Sequence, residues 1–285
     1  MSLQPRALAW DGGSLPVGRC AIMAVLNVTP DSFFDGGRYA AVDAAVRRAW
    51  EAVEEGADVL DVGGESTRPG AAKVSPEEEL ARVVPVLVEL RRGGITVPVS
   101  IDTSRASVAA AAIELGAVLV NDVSGGSREP ALLDIAAASG AGVVLMHMRG
   151  SPRTMQADVR YDDLVGEVSA VLKLCCAAAD AAGIPRDRQA VDPGIGFGKS
   201  PEGCVELIAR LDEFASLDRA VLVGASRKSF LGRLFGHAPD DRLIGSAVVA
   251  AAAAERGASI VRVHDVAASR QAVEVASALR GASRP

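Results

Sequence analysis

Aromatic side chains are scarce in this chain. They make up 4% of it, with phenylalanine at six positions, so the core has to be built from Ala, Val, Leu and Ile. Cysteine is also sparse: Cys20, Cys175, Cys176 and Cys204 have no C-x-x-C spacing, which excludes a disulfide framework and points to reduced thiols of a cytoplasmic protein. The three histidines, His147, His237 and His264, lie far apart with no second ligand at metal spacing, which argues against a zinc site. A hard cation held mostly by substrate oxygens stays open, because such an ion needs only one or two protein oxygens. The longest all-apolar stretch, residues 247–254, ends at Glu255, far short of a bilayer span, and the first twenty residues lack a basic region followed by an apolar run. Neither export nor membrane anchoring is expected. Positive charge is in deficit, 30 basic against 36 acidic residues for a net −6, so no nucleic-acid partner is expected.

What is present is a large apolar fraction, 49% of 285 residues, enough for a substantial core. Length alone leaves two readings, domains of about 150 residues each or one α/β barrel of about 250. The order of elements favours the barrel. A short N-terminal extension spans residues 1–19, with a hairpin near 8–17 around Asp11-Gly12-Gly13. Beyond it lie eight apolar runs of strand length: 21–26, 59–62, 97–101, 118–120, 143–146, 189–191, 220–223 and 259–263. They are continuous rather than alternating, as in parallel strands covered on both faces. Amphipathic segments at 42–55, 76–91, 105–115, 131–139, 162–182, 201–211, 240–256 and 267–279 fill the gaps, and Gly-Ala pairs at 56, 116, 140 and 257 end four of them. No linker divides the chain. Residues 20–285 therefore predict a single (β/α)8 barrel, an α/β fold, with a doubly wound sheet as the weaker alternative.

In such a barrel the active site is assembled at the C-terminal strand ends. Every run here ends in or near a side chain that can hydrogen-bond or ionise: Asn27, Glu65 to Arg68, Asp102, Asn121-Asp122, His147, Asp192, Ser226 to Lys228, and Arg262 with His264-Asp265. Singly these are ordinary turn and cap residues. Together they predict a ligand pocket. Glycine pairs at 36–37, 63–64 and 125–126 fall where backbone either approaches a ligand or simply turns. The stretch Asp192-Pro193-Gly194-Ile195-Gly196-Phe197-Gly198-Lys199-Ser200 is not a nucleotide loop, because a P-loop needs glycine at position 193 and a dinucleotide fingerprint needs it at 199. Arg68, Lys228, Arg262 and His264 place groups that are or can become cationic at one pole, which implies an anionic substrate group. Asp102, Asn121 and Asp192 are acceptors suited to a flat heterocycle carrying several N–H donors.

The motifs themselves are distinctive. Asn27-Val28-Thr29-Pro30-Asp31-Ser32-Phe33, Gly63-Gly64-Glu65-Ser66-Thr67-Arg68-Pro69-Gly70, Ser100-Ile101-Asp102-Thr103, Asn121-Asp122-Val123-Ser124-Gly125-Gly126, Asp192-Pro193-Gly194-Ile195-Gly196-Phe197, Ser226-Arg227-Lys228-Ser229 and Arg262-Val263-His264-Asp265 closely resemble those of bacterial dihydropteroate synthase. The match runs in order from about Met23 to Val266. The resemblance implies a (β/α)8 enzyme of folate synthesis. It would be a transferase that joins 6-hydroxymethyl-7,8-dihydropterin diphosphate to p-aminobenzoate, releasing diphosphate, and a target of sulfonamides.

By the same resemblance, Asp102, Asn121, Asp192 and Lys228 hold the pterin edge while Arg262 lies against its face. Asn27, Arg68, Arg262 and His264 hold the diphosphate with Mg²⁺, whose protein ligand is Asn27. Phe33, Thr67, Arg68, Pro69, Phe197, Lys228 and Ser229 form the p-aminobenzoate pocket, with its carboxylate near the helix that Ser229 opens. Residues 29–38 and 65–73 look like lids that complete this second pocket, and Asp35 is expected to steady positive charge at the reacting methylene. A departure from the family pattern is Phe34, where Ser is usual between Phe33 and Asp35. Phe33, Phe34, Phe197 and Phe230 are expected in or beside the substrate loops, and a homodimer through the late helices is expected. Two competing readings are a pterin-dependent methyltransferase domain, which would not need the Thr67-Arg68-Pro69 and Ser226-to-Ser229 pairing, and a non-catalytic pterin-binding paralogue.

Overall fold

The computed structural model describes residues 6–16, 18–28, 37–67, 70 and 73–282, with backbone alone for 37–40, 281 and 282. The chain enters through a hairpin, β1 (Ala9–Trp10) and β2 (Gly13–Ser14), paired antiparallel. Then come β3 (Ala21–Asn27), α1 (Gly37–Glu54), β4 (Val59–Gly63), α2 (Pro76–Gly93), β5 (Val99–Asp102), α3 (Ala106–Glu114), β6 (Leu119–Asp122) and α4 (Ala131–Ser139). The second half runs β7 (Gly142–Met146), α5 (Leu164–Ala181), β8 (Gln189–Asp192), α6 (Pro201–Ala209), β9 (Ala220–Val223), α7 (Ser229–Phe235), α8 (Leu243–Glu255), β10 (Ile260–Val263) and α9 (Val266–Ala282). Strands β3 to β10 pair in parallel and close on themselves through β10 and β3. The predicted (β/α)8 barrel is the observed fold.

Local chemistry explains the element ends. Ser75 caps α2 by accepting from the Glu78 N–H at 3.1 Å, and Ser200 caps α6 from the Gly203 N–H at 3.0 Å, each with proline in the first turn after it. The ladder of the third barrel strand begins at Val99 rather than at Val97, because Pro98 has no N–H to donate. Helix α7 is the element that hydrophobic periodicity does not announce, and the segment expected to start a helix at 240 opens instead with a 3-10 turn at Pro239–Asp241.

Two apolar layers build the core. The larger lies between the strands and the helices. The smaller fills the barrel itself, with Met23, Val59, Leu119, Val144, Ala190, Leu222 and Ile260 packed together and Leu8 and Leu15 of the hairpin closing one end. Asp11 fixes that plug, donating its N–H to the Gly140 carbonyl at 2.8 Å and accepting from Arg188 at 2.7 Å. Strand side chains alternate, so residues two positions further along share the interior. From Val59, Leu119, Ala190 and Ile260 that step reaches Asp61, Asn121, Asp192 and Arg262. The barrel interior is apolar at its hairpin end and becomes ionic at the other. Among the described residues no helix is long and apolar enough to cross a membrane.

Candidate active site

The ionic end of the barrel opens into a pocket lined by Thr67, Asp102, Asn121, Asp192, Phe197, Lys228, Arg262 and His264, with Val25, Val123, Met146, Gly224 and Ser226 between them. Eight residues expected at the site from sequence thus face one cavity. Asn27 ends β3 beside Gly63 of β4, at the rim and outside this lining. Ser229 is exposed in the first turn of α7, one residue from Lys228. Phe33, Phe34, Asp35, Arg68 and Pro69, with most of the first expected lid and four of the nine residues of the second, lie outside the described residues.

Arg262 organises the floor. Its Nε donates to Asp61 Oδ2 at 2.6 Å and its Nη2 to Asp102 Oδ2 at 2.7 Å. Burial works against its charge, but the Asp61 and Asp102 carboxylates more than offset this and hold the guanidinium firmly protonated. Burial pushes the Asp102 carboxyl upward; Arg262 opposes that shift and Asp61 adds to it. The Asn121 amide donates to the same Asp61 Oδ2 at 2.9 Å. Asp61 is completely buried. It is the site residue that strand-end reasoning misses, because it lies two positions before the end of β4. Its signal was present: a carboxylate within Val59-Leu60-Asp61-Val62 is too costly to bury without a cationic partner.

The opposite wall comes from the loops after β8 and β9. Asp192 accepts from the Gly194 N–H at 2.7 Å, and burial raises its pKa against that bond and the nearby Lys228. Gly194 has φ +70, and a Cβ there would strike the His147 carbonyl oxygen, so only glycine permits this turn. Arg227 also adopts a left-handed φ of 56 and forms a bidentate pair with Asp265, at 2.5 and 2.9 Å. That turn delivers Lys228 to the pocket, its Nζ 3.9 Å from the centre of the Phe197 ring. Burial lowers the Lys228 ammonium to about 8, with Asp192 resisting the shift.

The remaining strand-end residues divide between pocket and scaffold. His264 is held neutral: burial, then the charges of Arg262 and Arg227, bring it to about 4, so near pH 7 it contributes hydrogen bonds rather than charge. Its Nδ1 and its N–H both meet Ser226 Oγ, at 3.1 and 3.2 Å. The glycine pairs at 63–64 and 125–126 make room chiefly for protein. A Cβ on Gly64 would meet Val83 at 2.9 Å, and one on Gly125 would meet Cys175 Sγ at 2.8 Å. Phe230 belongs to the helix-packed core, whereas Phe197 sits with Met146 and Met155 against the pocket. His147 faces a buried lysine, Lys199, whose Nζ is 2.7 Å from its Nδ1. Burial and that neighbour take His147 to about 3. Asp122 accepts from Ser124 N, Ser124 Oγ and Gly126 N at 2.8, 3.0 and 2.7 Å, pinning the loop after Asn121. Glu65 pairs with Arg105 at 3.4 Å and Arg128 at 3.2 Å at the root of the second expected lid.

Comparison with known proteins gives a consistent answer. The family described as "Pterin binding enzyme" matches residues 23–264. The Escherichia coli dihydropteroate synthase is 45% identical over 267 residues, covering 94% of this chain and 94% of that protein. The Xanthomonas albilineans dihydropteroate synthase, solved with 4-aminobenzoic acid, superposes with a TM-score of 0.90 at 44% identity, covering 99% of this chain and 100% of that one. The Burkholderia cenocepacia dihydropteroate synthase, solved with 7,8-dihydropteroate, gives a TM-score of 0.88 at 42% identity over 99% of both chains. Matched by that family over residues 23–264 and by dihydropteroate synthases along nearly its whole length in sequence and in fold, the chain belongs to the pterin-binding enzymes and, within them, to the dihydropteroate synthases.

Proposed function

We propose that the protein condenses 6-hydroxymethyl-7,8-dihydropterin diphosphate with p-aminobenzoate, giving 7,8-dihydropteroate and diphosphate. The observation that carries this reading is the convergence of Asp102, Asn121, Asp192, Lys228 and Arg262 on one pocket. Three acceptors on three strands suit a ring edge rich in N–H donors, and Lys228 supplies the complementary donor. Arg262 has Nε and Nη2 committed to carboxylates. Its Nη1 has no partner among the described residues and is available to the substrate.

The chemistry is displacement at the pterin methylene. The C–O bond breaks with its electron pair leaving on the diphosphate, the p-aminobenzoate nitrogen bonds to the carbon, and that nitrogen then loses a proton. No side-chain nucleophile is required. Diphosphate departs readily only where cations meet its growing charge, a role for Arg262 and for Arg68. Asn27 offers a neutral amide oxygen at the rim, and the described residues contain no cluster of three metal-ligating side chains. That donor set fits Mg²⁺ carried largely by phosphate oxygens and water, and Mg²⁺ bound there would neutralise charge on the leaving group. Phe197, Lys228, Ser229 and Thr67 would form the described part of the p-aminobenzoate pocket, with Phe33, Arg68 and Pro69 completing it. Sulfonamides would compete there.

Two further readings have structural support. Phe235, Ile244, Val248, Val275 and Leu279 are exposed apolar residues on α7, α8 and α9, a face suited to a homodimer. All four cysteines are free thiols, three of them buried, as suits a cytoplasmic enzyme. A coupled assay for diphosphate tests the function. Release from the pterin diphosphate should require both p-aminobenzoate and Mg²⁺. Tight pterin binding with no diphosphate release would favour a non-catalytic paralogue.

A further inference from the structure

We propose that Asp61 is a positioning residue for the reaction: one of its oxygens ties Arg262 to Asn121 and so fixes the guanidinium plane with Nη1 turned to the substrate. The inference rests on the proposed function, since it concerns how Arg262 meets the pterin diphosphate.

Asp61 Oδ2 accepts from Arg262 Nε at 2.6 Å and from Asn121 Nδ2 at 2.9 Å. Its other oxygen, Oδ1, is buried and has no hydrogen-bond partner among the described residues. A carboxylate placed for stability alone would satisfy both oxygens, or an apolar residue would replace it, because burying a half-satisfied charge is unfavourable. Here the charge is used for one purpose. A guanidinium held only through Nη2 by Asp102 can swing about that bond, whereas anchoring Nε as well fixes its plane. The same oxygen orients the Asn121 amide, so a single atom sets the relative position of two site residues from β6 and β10. The charged groups around it are Arg262 and Asp102, with Asp192 and Lys228 across the pocket.

The one-oxygen arrangement makes Asp61→Asn a discriminating variant. The Asn carbonyl can stand where Oδ2 is and accept both bonds, with its NH₂ where the unpartnered Oδ1 lies. Shape is retained and only the charge is lost. The Asn121 bond becomes neutral and the Arg262 bond keeps the guanidinium's charge but loses the carboxylate's, and charge-assisted and neutral bonds differ about twofold in strength. The expected result is about a tenfold loss in kcat/KM for the pterin diphosphate, a change of about 1.4 kcal/mol. The KM for p-aminobenzoate should change by less than about twofold, and the thermal midpoint should hold or rise. In an Arg262→Lys background the lysine has no Nε for Asp61 to hold. Adding Asp61→Asn should then cost less than about twofold, a non-additive cycle. If the two losses multiply, or if kcat/KM falls equally for both substrates along with the thermal midpoint, Asp61 is a structural residue and the inference is overturned. An inactive wild-type protein would instead overturn the proposed function, so the two failures are distinct.

Discussion

Raising the pH through the Lys228 titration separates this site's electrostatics from general alkaline damage. Burial has moved the ammonium from 10.5 to about 8. At pH 9, one unit above that value, about a tenth of the molecules keep the charge, and each further unit removes another factor of about ten, or about 1.36 kcal/mol. With kcat/KM for the pterin diphosphate proportional to the charged fraction, its pH profile should bend near pH 8 and fall about tenfold per unit beyond it. Stability should move the other way. Between about 8 and 10.5 the folded protein binds fewer protons at Lys228 than the unfolded chain does, so this group makes the fold more stable as pH rises through that window. The assay is steady-state turnover from pH 6 to 10, run beside chemical denaturation at each pH. Lys228→Met should be low and flat across the basic range, and Lys228→Arg should push the basic limb beyond pH 10. A wild-type profile flat to pH 10, or a basic limb that survives in Lys228→Met, would refute the reasoning.

Three further predictions concern the scaffold. Asp122→Ala removes three hydrogen bonds that pin the loop beside Asn121. It should destabilise the fold by about 2–4 kcal/mol at about 1 kcal/mol per bond, and raise KM for the pterin diphosphate, measured by denaturant melts and kinetics. Phe214→Ala empties a fully buried site in the layer between strands and helices, outside the pocket lining, and should cost about 3–5 kcal/mol in the same melts while leaving KM for both substrates unchanged. Ile244 and Val248 lie one helical turn apart and are both exposed. Replacing both with Asp should leave the barrel folded and convert the proposed dimer to a monomer in analytical ultracentrifugation; an unchanged sedimentation coefficient would remove this face as an interface.

The strand ends were legible because barrel geometry turns a one-dimensional rule into a place: a residue just past an apolar run faces the mouth. Asp102, Asn121 and Asp192 obeyed it, Arg262 stands out as the one charge inside the last run, and all four line the pocket. Asp61 escaped it because it lies one interior step below the mouth, where only the cost of burying its charge marks it out. The protonation of His264 was also beyond sequence reach, since it depends on Arg262 and Arg227 standing around a buried ring. Glycine pairs carried an ambiguity that only contacts resolve, and Gly64 and Gly125 proved to accommodate a helix and a cysteine. The hairpin was visible as a turn, but its role as a plug was not, because nothing local says that Leu8 and Leu15 enter the barrel. Helix α7, at seven residues, is too short to establish a hydrophobic period.

The reaction proposed for this barrel mouth joins a pterin methylene to an aromatic amine. Its most direct test is the identity of the product, resolved by chromatography and mass after the two substrates and Mg²⁺ are mixed with the protein. 7,8-Dihydropteroate and diphosphate should form in equal amounts. Formation of hydroxymethyl-dihydropterin alone, or intact substrate recovered from a protein that binds it, would contradict it.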